Sequence, residues 1–243
     1  MPAAILLNAR QVSKSFGALA VLDRVDFAVR EGEAIGIVGP NGAGKTTLMN
    51  VLSGTYALNA GTVELLGQDV TTSSSAQRCQ KGLSKTHQIP RPFLGMTVFE
   101  NVFVAATHGA MLKGEAAYDL AAESLELCGM TAIANRKAEA IGLLDRKRLE
   151  LARALATRPK ILLLDEIGGG LTDAEASELV ETIRELRRRG ISIVWIEHIV
   201  HVLLQVAERL ICMDAGKVIA DGDPALVMKD KAVVEAYLGR TPE

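Results

Sequence analysis

The chain has only three cysteines, Cys79, Cys128 and Cys212, far apart and odd in number. That excludes a disulfide framework and offers no zinc-ligand spacing, and it suits a reducing compartment. No run approaches the roughly 18 consecutive apolar residues needed to cross a bilayer. Met1 to Gln11 holds the apolar stretch Ala3 to Leu7 with no basic region before it, so it does not read as a secretory signal. Excess charge is almost absent, with 27 basic against 29 acidic residues and a net charge of −2. A broad electrostatic grip on nucleic acid is therefore not expected. No repeat at the scale of about 20–50 residues is visible. Together these absences predict a cytosolic chain, any membrane attachment being made through a partner.

What is present points to a packed protein. The 243 residues are 49% hydrophobic and 23% charged, which excludes a disordered or collagen-like chain. The length suits one large domain, or one domain with a subdomain.

Apolar strands and helices alternate along much of the chain. Val21 to Val29 is among several β-type segments near the start. Ala34 to Val38 reads as a buried strand, Lys45 to Ser53 as a helix stopped by Gly54, and Thr62 to Leu66 as a strand. Thr71 to Gln77 reads as a loop or helix start. Val98 to Met130, rich in alanine, leucine and glutamate, favours helices. Asp145 to Thr157 places Leu149, Ala152, Leu155 and Ala156 on one helical face, with Asp145 as N-cap and Pro159 beyond the end. Ile161 to Leu164 and Ile191 to Ile196 read as strands, Ala174 to Arg188 and Ile199 to Glu208 as helices, and Leu210 to Met213 and Lys217 to Ala220 as short strands. Continuous apolar strands alternating with helices predict an α/β fold, a parallel sheet covered on both faces with a helical insertion.

Gly39-Pro40-Asn41-Gly42-Ala43-Gly44-Lys45-Thr46 matches G-x-x-x-x-G-K-[ST], a phosphate-binding loop, and it sits between a predicted strand and a predicted helix. Glycines let backbone N–H groups wrap phosphate oxygens without Cβ clashes, and the helix start adds positive potential. Lys45 then reaches the terminal phosphates and the Thr46 hydroxyl ligates magnesium. Ile161-Leu162-Leu163-Leu164-Asp165-Glu166 ends an apolar strand in two carboxylates, where an open α/β sheet places ligands. Asp165 is placed to hold the metal, and Glu166 to polarise an attacking water.

With these motifs the sequence resembles the ATPase subunit of ABC transporters along nearly its whole length. The resemblance implies a P-loop NTPase core with a mainly parallel sheet, an N-terminal antiparallel β subdomain and an inserted α-helical subdomain. It implies a single ABC-type ATPase domain, 1–243, with residues 1–88 and 145–243 as the nucleotide-binding core and 89–144 as the helical part. ATP and Mg2+ are the implied ligands. Phe16, in Lys14-Ser15-Phe16-Gly17, takes the place of the aromatic that stacks on adenine. Residues 39 to 47, ending in Thr47, cradle the phosphates. Gln88 matches a glutamine that touches magnesium and links core to helices, giving a metal set of Thr46, Gln88 and Asp165. His198 matches a histidine that contacts the γ-phosphate, so Lys45, Glu166 and His198 form the implied catalytic set. His87, His108 and His201 match nothing, and Trp195 reads as core. Arg187-Arg188-Arg189 reads as a solvated helix end rather than a nucleic-acid patch.

Finer features are similar to importers of branched-chain amino acids and related amides. These are Ile196-Glu197-His198, the run Arg148 to Leu155, and the ending Val234-Glu235-Ala236-Tyr237-Leu238-Gly239. The implied partners are a second ATPase subunit, transmembrane permease subunits and, indirectly, a substrate-binding protein, at the cytoplasmic face of the inner membrane. Asn101-Val102-Phe103-Val104 and nearby apolar residues are expected either to line a groove near Gln88 that receives the membrane subunits or to form the core of the helical part. An ABC exporter ATPase, a non-transport ABC ATPase and a weakly hydrolysing regulatory subunit are the alternatives. A phosphotransferase is disfavoured by Gln88 and His198 in family order.

Two segments depart from the family pattern. Where roughly Leu-Ser-Gly-Gly-Gln is expected, the chain has Ile141-Gly142-Leu143-Leu144-Asp145. After Glu166, Ile167 replaces the usual proline, and Gly168-Gly169-Gly170-Leu171 leads to Thr172 in place of an aspartate. The first segment is the one such a subunit presents to its partner's nucleotide, so a heterodimer with a subunit of normal signature is favoured over a homodimer.

Overall fold

The computed structural model describes residues 3–238. Met1 and Pro2, and Gly239 of the ending noted above, lie outside the described residues. Among them four strands, β1 (Ile5–Phe16), β2 (Leu19–Arg30), β4 (Ala60–Leu65) and β5 (Gln68–Asp69), form an antiparallel sheet ordered β2-β1-β4-β5. A second, six-stranded sheet is ordered β10-β9-β3-β8-β7-β6. Its members are β3 (Ala34–Val38), β6 (Leu83–Lys85), β7 (Ile161–Asp165), β8 (Ser192–Ile196), β9 (Arg209–Asp214) and β10 (Lys217–Gly222). All neighbours in it run parallel except the antiparallel edge pair β9–β10. The fold is thus the P-loop NTPase arrangement expected.

The apolar runs explain the layering. Every residue of β3, β7 and β8 is buried, and alternate side chains enter opposite layers. Ile35, Ile37, Ile161, Leu163, Val194 and Ile196 pack toward the antiparallel sheet and α1 (Lys45–Leu52). Their neighbours Ala34, Val38, Leu162, Leu164, Ile193 and Trp195 pack into the layer built with the helices. That layer includes α3 (Val98–His108), α4 (Gly114–Leu127), α5 (Leu143–Leu155) and α6 (Asp173–Arg188). The shorter helices are α2 (Ser75–Gln80), α7 (Val200–Leu203), α8 (Pro224–Val227) and α9 (Lys231–Leu238).

Local chemistry sets the helix starts. Ser74 with Gln77, Thr97 with Glu100, and Thr172 with Glu175 form capping boxes at α2, α3 and α6. Three expectations need correction. Gly142, extended at φ −72° and ψ −179°, is the N-cap of α5, and Asp145 lies inside the first turn, 4.0 Å from Arg148. There its charge still favours the helix start. The helix expected over Ile199 to Glu208 reduces to α7, because the chain turns after Leu203 to bury Val206 and to let the Glu208 N–H donate to Ala34 O on the way into β9. Strand β6, too short to give a periodic signal, was not expected. Arg187, Arg188 and Arg189 end α6 paired to Glu208, Glu181, Glu185 and Glu123, which makes them a neutralised helix end.

Candidate nucleotide site

Parallel strands bring their carboxyl ends to one edge of the sheet, and the chemically active residues lie there. Gly39 follows β3, Glu166 follows Asp165 at the end of β7, Glu197 and His198 follow β8, and Lys85 ends β6 three residues before Gln88. Ligands of open α/β sheets bind at this edge.

The loop after β3 has the conformation phosphate binding demands. Gly39, Gly42 and Gly44 have φ of +141°, +81° and +99°. At Gly39 a Cβ would lie 2.1 Å from Met213 O, so no side chain fits there. Asn41 to Thr47, with Val21 and Glu166, line a cavity of about 220 Å3. Lys45 is buried, and its Nζ donates to Gly39 O at 2.7 Å and Pro40 O at 2.9 Å. Burial pushes its pKa below the usual lysine value, the carboxylates of Glu166 and Asp165 acting the other way.

Asp165 is 1% exposed. The Thr46 hydroxyl donates to its Oδ1 across 3.4 Å. Neighbouring ligands on an octahedral magnesium with bonds of about 2.1 Å stand roughly 3 Å apart. A hydroxyl and a carboxylate at this separation therefore fit that cation. Lys85 Nζ lies 3.1 Å from the other Asp165 oxygen and donates to Asn50 Oδ1 at 2.5 Å, balancing the buried carboxylate.

Glu166 has φ +52°, a left-handed conformation costly for a residue with a Cβ. Its Oε1 accepts from His198 Nε2 at 2.8 Å and its Oε2 from the Gln88 amide. The structure thus joins Gln88, Glu166 and His198 beside the cavity, with Lys45, Thr46 and Asp165 around the loop. Phe16 stands apart at the end of β1, 45% exposed, its ring held edge-on by Tyr56 (5.4 Å between centroids) and 4.9 Å from Lys14 Nζ.

Sequence reasoning missed four residues here. Lys85 and Tyr56 are two. Glu197 is the third; buried at 2% exposure, its carboxylate accepts from Gly168 N at 2.5 Å and His198 N at 3.1 Å, and desolvation raises its pKa. The fourth, Lys147, donates to Ile167 O at 3.0 Å and to Gly169 O, and burial lowers its pKa. Glu197 stands in the Ile196-Glu197-His198 stretch quoted above, but no sequence signal marks the role of any of the four, because each meets a partner distant in the chain. The ending contributes as well: Tyr237 on α9 accepts a 2.7 Å hydrogen bond from Gly39 N through its hydroxyl. Tyr237→Phe keeps the ring and strips that N–H of its acceptor. Its expected cost is about 1 kcal/mol of stability, read from the denaturant midpoint at unchanged slope.

Of the altered segments, Ile167 to Gly170 follow Glu166 directly at this edge. Leu143 is half exposed at the start of α5, and Thr172 caps α6. A second cleft, of about 310 Å3, lies near β6 and is lined by Lys85, His87, Ala105, Glu150, Arg153 and Thr157 among others. Asn101 and Val102 do not line it. Both are buried, and the Asn101 amide bonds to Phe93 and Thr97 carbonyls. Trp195 is core, as expected.

A glycine-rich loop wrapped on a helix start, with strand-end carboxylates beside it, defines the P-loop nucleoside triphosphatases. The ABC transporter family profile matches residues 22–168, and the branched-chain amino acid ATP-binding cassette transporter profile matches residues 217–242. The high-affinity branched-chain amino acid transport ATP-binding protein LivG of Salmonella typhimurium is 36% identical, over 96% of this chain and 98% of its own. The lipopolysaccharide export system ATP-binding protein LptB of Haemophilus influenzae is 33% identical over 96% and 97%. A nucleotide-free ATP-binding cassette from an ABC transporter superposes with a TM-score of 0.89 at 30% identity, covering 98% of this chain and all of that one. The chain belongs to the ATP-binding subunits of ABC transporters, and it is an ATPase of that family.

Proposed function

We propose that the chain powers an importer of branched-chain amino acids or related amides, hydrolysing MgATP on behalf of separate membrane subunits. The observation that carries the reading is the 36% identity to LivG over 96% of the chain together with the matching profile at residues 217–242. On this reading residues 39 to 47 and Lys45 bind the phosphates, Phe16 stacks on adenine, and Thr46, Asp165 and Gln88 hold magnesium. The metal would supply charge neutralisation on the phosphate oxygens. Glu166 takes the proton of the attacking water, and His198 steadies the terminal phosphate. Residues 1–88 and 145–243 act as the nucleotide core and 89–144 as the helical lever.

The cleft beside β6 suits a docking element of the membrane subunits, since Gln88 follows from its wall. The protein would sit at the cytoplasmic face of the inner membrane, paired with a second ATPase subunit and served indirectly by a substrate-binding protein. Among the described residues no helix is long and apolar enough to cross a membrane, so attachment falls to partners. Identity to LptB favours a second reading, an export ATPase.

One experiment separates the readings. The tagged chain is purified with its partner subunits, and the ligand of the accompanying binding protein is identified. Leucine, isoleucine, valine or a small amide is the expected ligand. Absence of any binding protein, with a lipid-linked glycan as cargo, would select the export reading.

A further inference from the structure

The loop that follows Glu166 is unusually permissive in sequence, with Gly168, Gly169 and Gly170 in a row and no proline. A triglycine segment left to itself samples many conformations. Glu166, immediately before it, is held at φ +52°, which costs a non-glycine residue on the order of 1–3 kcal/mol and persists only when the surroundings over-determine it. Something outside the loop must therefore fix it.

Two buried charged side chains meet the loop from different elements. Lys147 on α5 is 6% exposed and donates to the carbonyls of Ile167 and Gly169. Glu197, after β8, accepts from the Gly168 N–H at 2.5 Å with one oxygen and from the His198 N–H at 3.1 Å with the other. A Cβ at Gly168 would stand 2.6 Å from Glu197 Oε1, so glycine there is what lets the carboxylate reach the backbone. Polar groups of three successive residues, 167 to 169, are thereby tied to buried charges. The departures from the family pattern also meet in space. Leu143 Cδ2 lies 3.5 Å from where a Cβ of Gly170 would be, so the bulky start of α5 rests on the stripped-down loop.

We propose that Lys147 and Glu197 are positioning residues for hydrolysis. They clamp the triglycine loop and so hold the Glu166 carboxylate between His198 and Gln88. Glu197 acts on both sides of that contact, through Gly168 toward Glu166 and directly on the backbone of His198. Lys147 brings in α5, so the helix with the altered start is bonded to the loop beside the catalytic edge of its own subunit. The inference deepens the proposed reading of Glu166 and rests on it.

The test compares steady-state ATP hydrolysis and equilibrium ATP binding in the full chain co-purified with its partner subunits, for Glu197→Ala, Lys147→Met and Lys147→Arg. Glu197→Ala and Lys147→Met are each expected to lower kcat about tenfold or more, with the dissociation constant for ATP within about twofold of the parent, because neither touches the phosphate loop. Lys147→Arg, which keeps a cationic donor, is expected to recover part of that loss. The double variant should fall short of the product of the single effects, as residues holding one loop do. Parallel loss of kcat, ATP affinity and melting temperature would mean a merely structural role and overturn the proposal. If the alanine variant fails to fold, the isosteric Glu197→Gln takes its place: it sets an amide NH2 against a backbone N–H, and unaltered kcat there overturns the clamp. Glu166→Gln measured alongside separates the two claims. Full activity in it refutes the Glu166 reading, whereas normal kcat in the Lys147 and Glu197 variants beside an inactive Glu166→Gln refutes the clamp alone.

Discussion

Glu166→Gln is expected to reduce ATP turnover about 100-fold or more while leaving ATP binding intact. A general base contributes on the order of 10²–10⁴ to a rate, and the amide has the carboxylate's shape without its basicity. The present geometry shows why binding should survive. Glu166 borders the phosphate cavity but gives the loop no hydrogen bond; its two oxygens face His198 and Gln88. Phosphate release should therefore collapse, and equilibrium binding of ATP should stay near the parent value. Unchanged turnover would assign the base elsewhere.

The same variant addresses pairing. The start of α5 carries Leu143, Leu144 and Asp145 where glycines and a glutamine would admit a partner's γ-phosphate. A heterodimer whose other subunit has a normal signature would complete this chain's own site, so one substitution here should silence most of the complex. A lone homodimer would carry the deviant segment at both sites and hydrolyse slowly. Fast turnover by the lone chain would remove the case for an asymmetric partner.

The sequence disclosed whatever short-range chemistry dictates. Phosphate leaves little freedom of residue type from Gly39 to Thr46, so the loop could be read directly. Strands β3, β7 and β8 are buried on both faces, so they appear as unbroken apolar runs, and the active edge of the sheet follows from their ends. The errors came where a distant contact outvoted a local preference. Asp145 is a good N-cap residue, yet Gly142 ends the preceding segment extended and starts the helix sooner. The apolar stretch after Ile199 has helical spacing, but burying Val206 and aligning β9 cut it to one turn. Lys85 and Lys147 look like ordinary surface charges in a linear sequence, and the Ile196-Glu197-His198 stretch does not disclose what the Glu197 carboxylate holds. Lys147 and Glu197 are buried and Lys85 half-buried because their partners, respectively the Ile167 carbonyl, Gly168 and Asp165, come from other elements.

Lys45→Ala should abolish hydrolysis through binding rather than through the chemical step. In the structure the Lys45 ammonium is buried and lies across the loop, bonded to the Gly39 and Pro40 carbonyls at its own strand end. These contacts hold the charge ready at a desolvation cost that is visible in its lowered pKa. When phosphate oxygens arrive, the ammonium exchanges neutral carbonyl acceptors for anionic ones, which are the stronger partners. A hydrogen bond to a charged group is worth about 1.5–3 kcal/mol. Losing one or two of them should weaken ATP binding roughly 100-fold, since about 1.4 kcal/mol is a factor of ten. A thermal-shift comparison exposes the mechanism. Saturating ATP at about 100 times the parent dissociation constant stabilises the parent by about 2.7 kcal/mol, whereas at a dissociation constant 100-fold weaker the same ATP adds only about 0.4 kcal/mol. The nucleotide-free variant should melt close to the parent, because the substitution removes a buried charge along with its two carbonyl bonds. A variant that keeps the ATP-induced shift and loses only turnover would show that Lys45 serves the reaction step and not the grip on the phosphates.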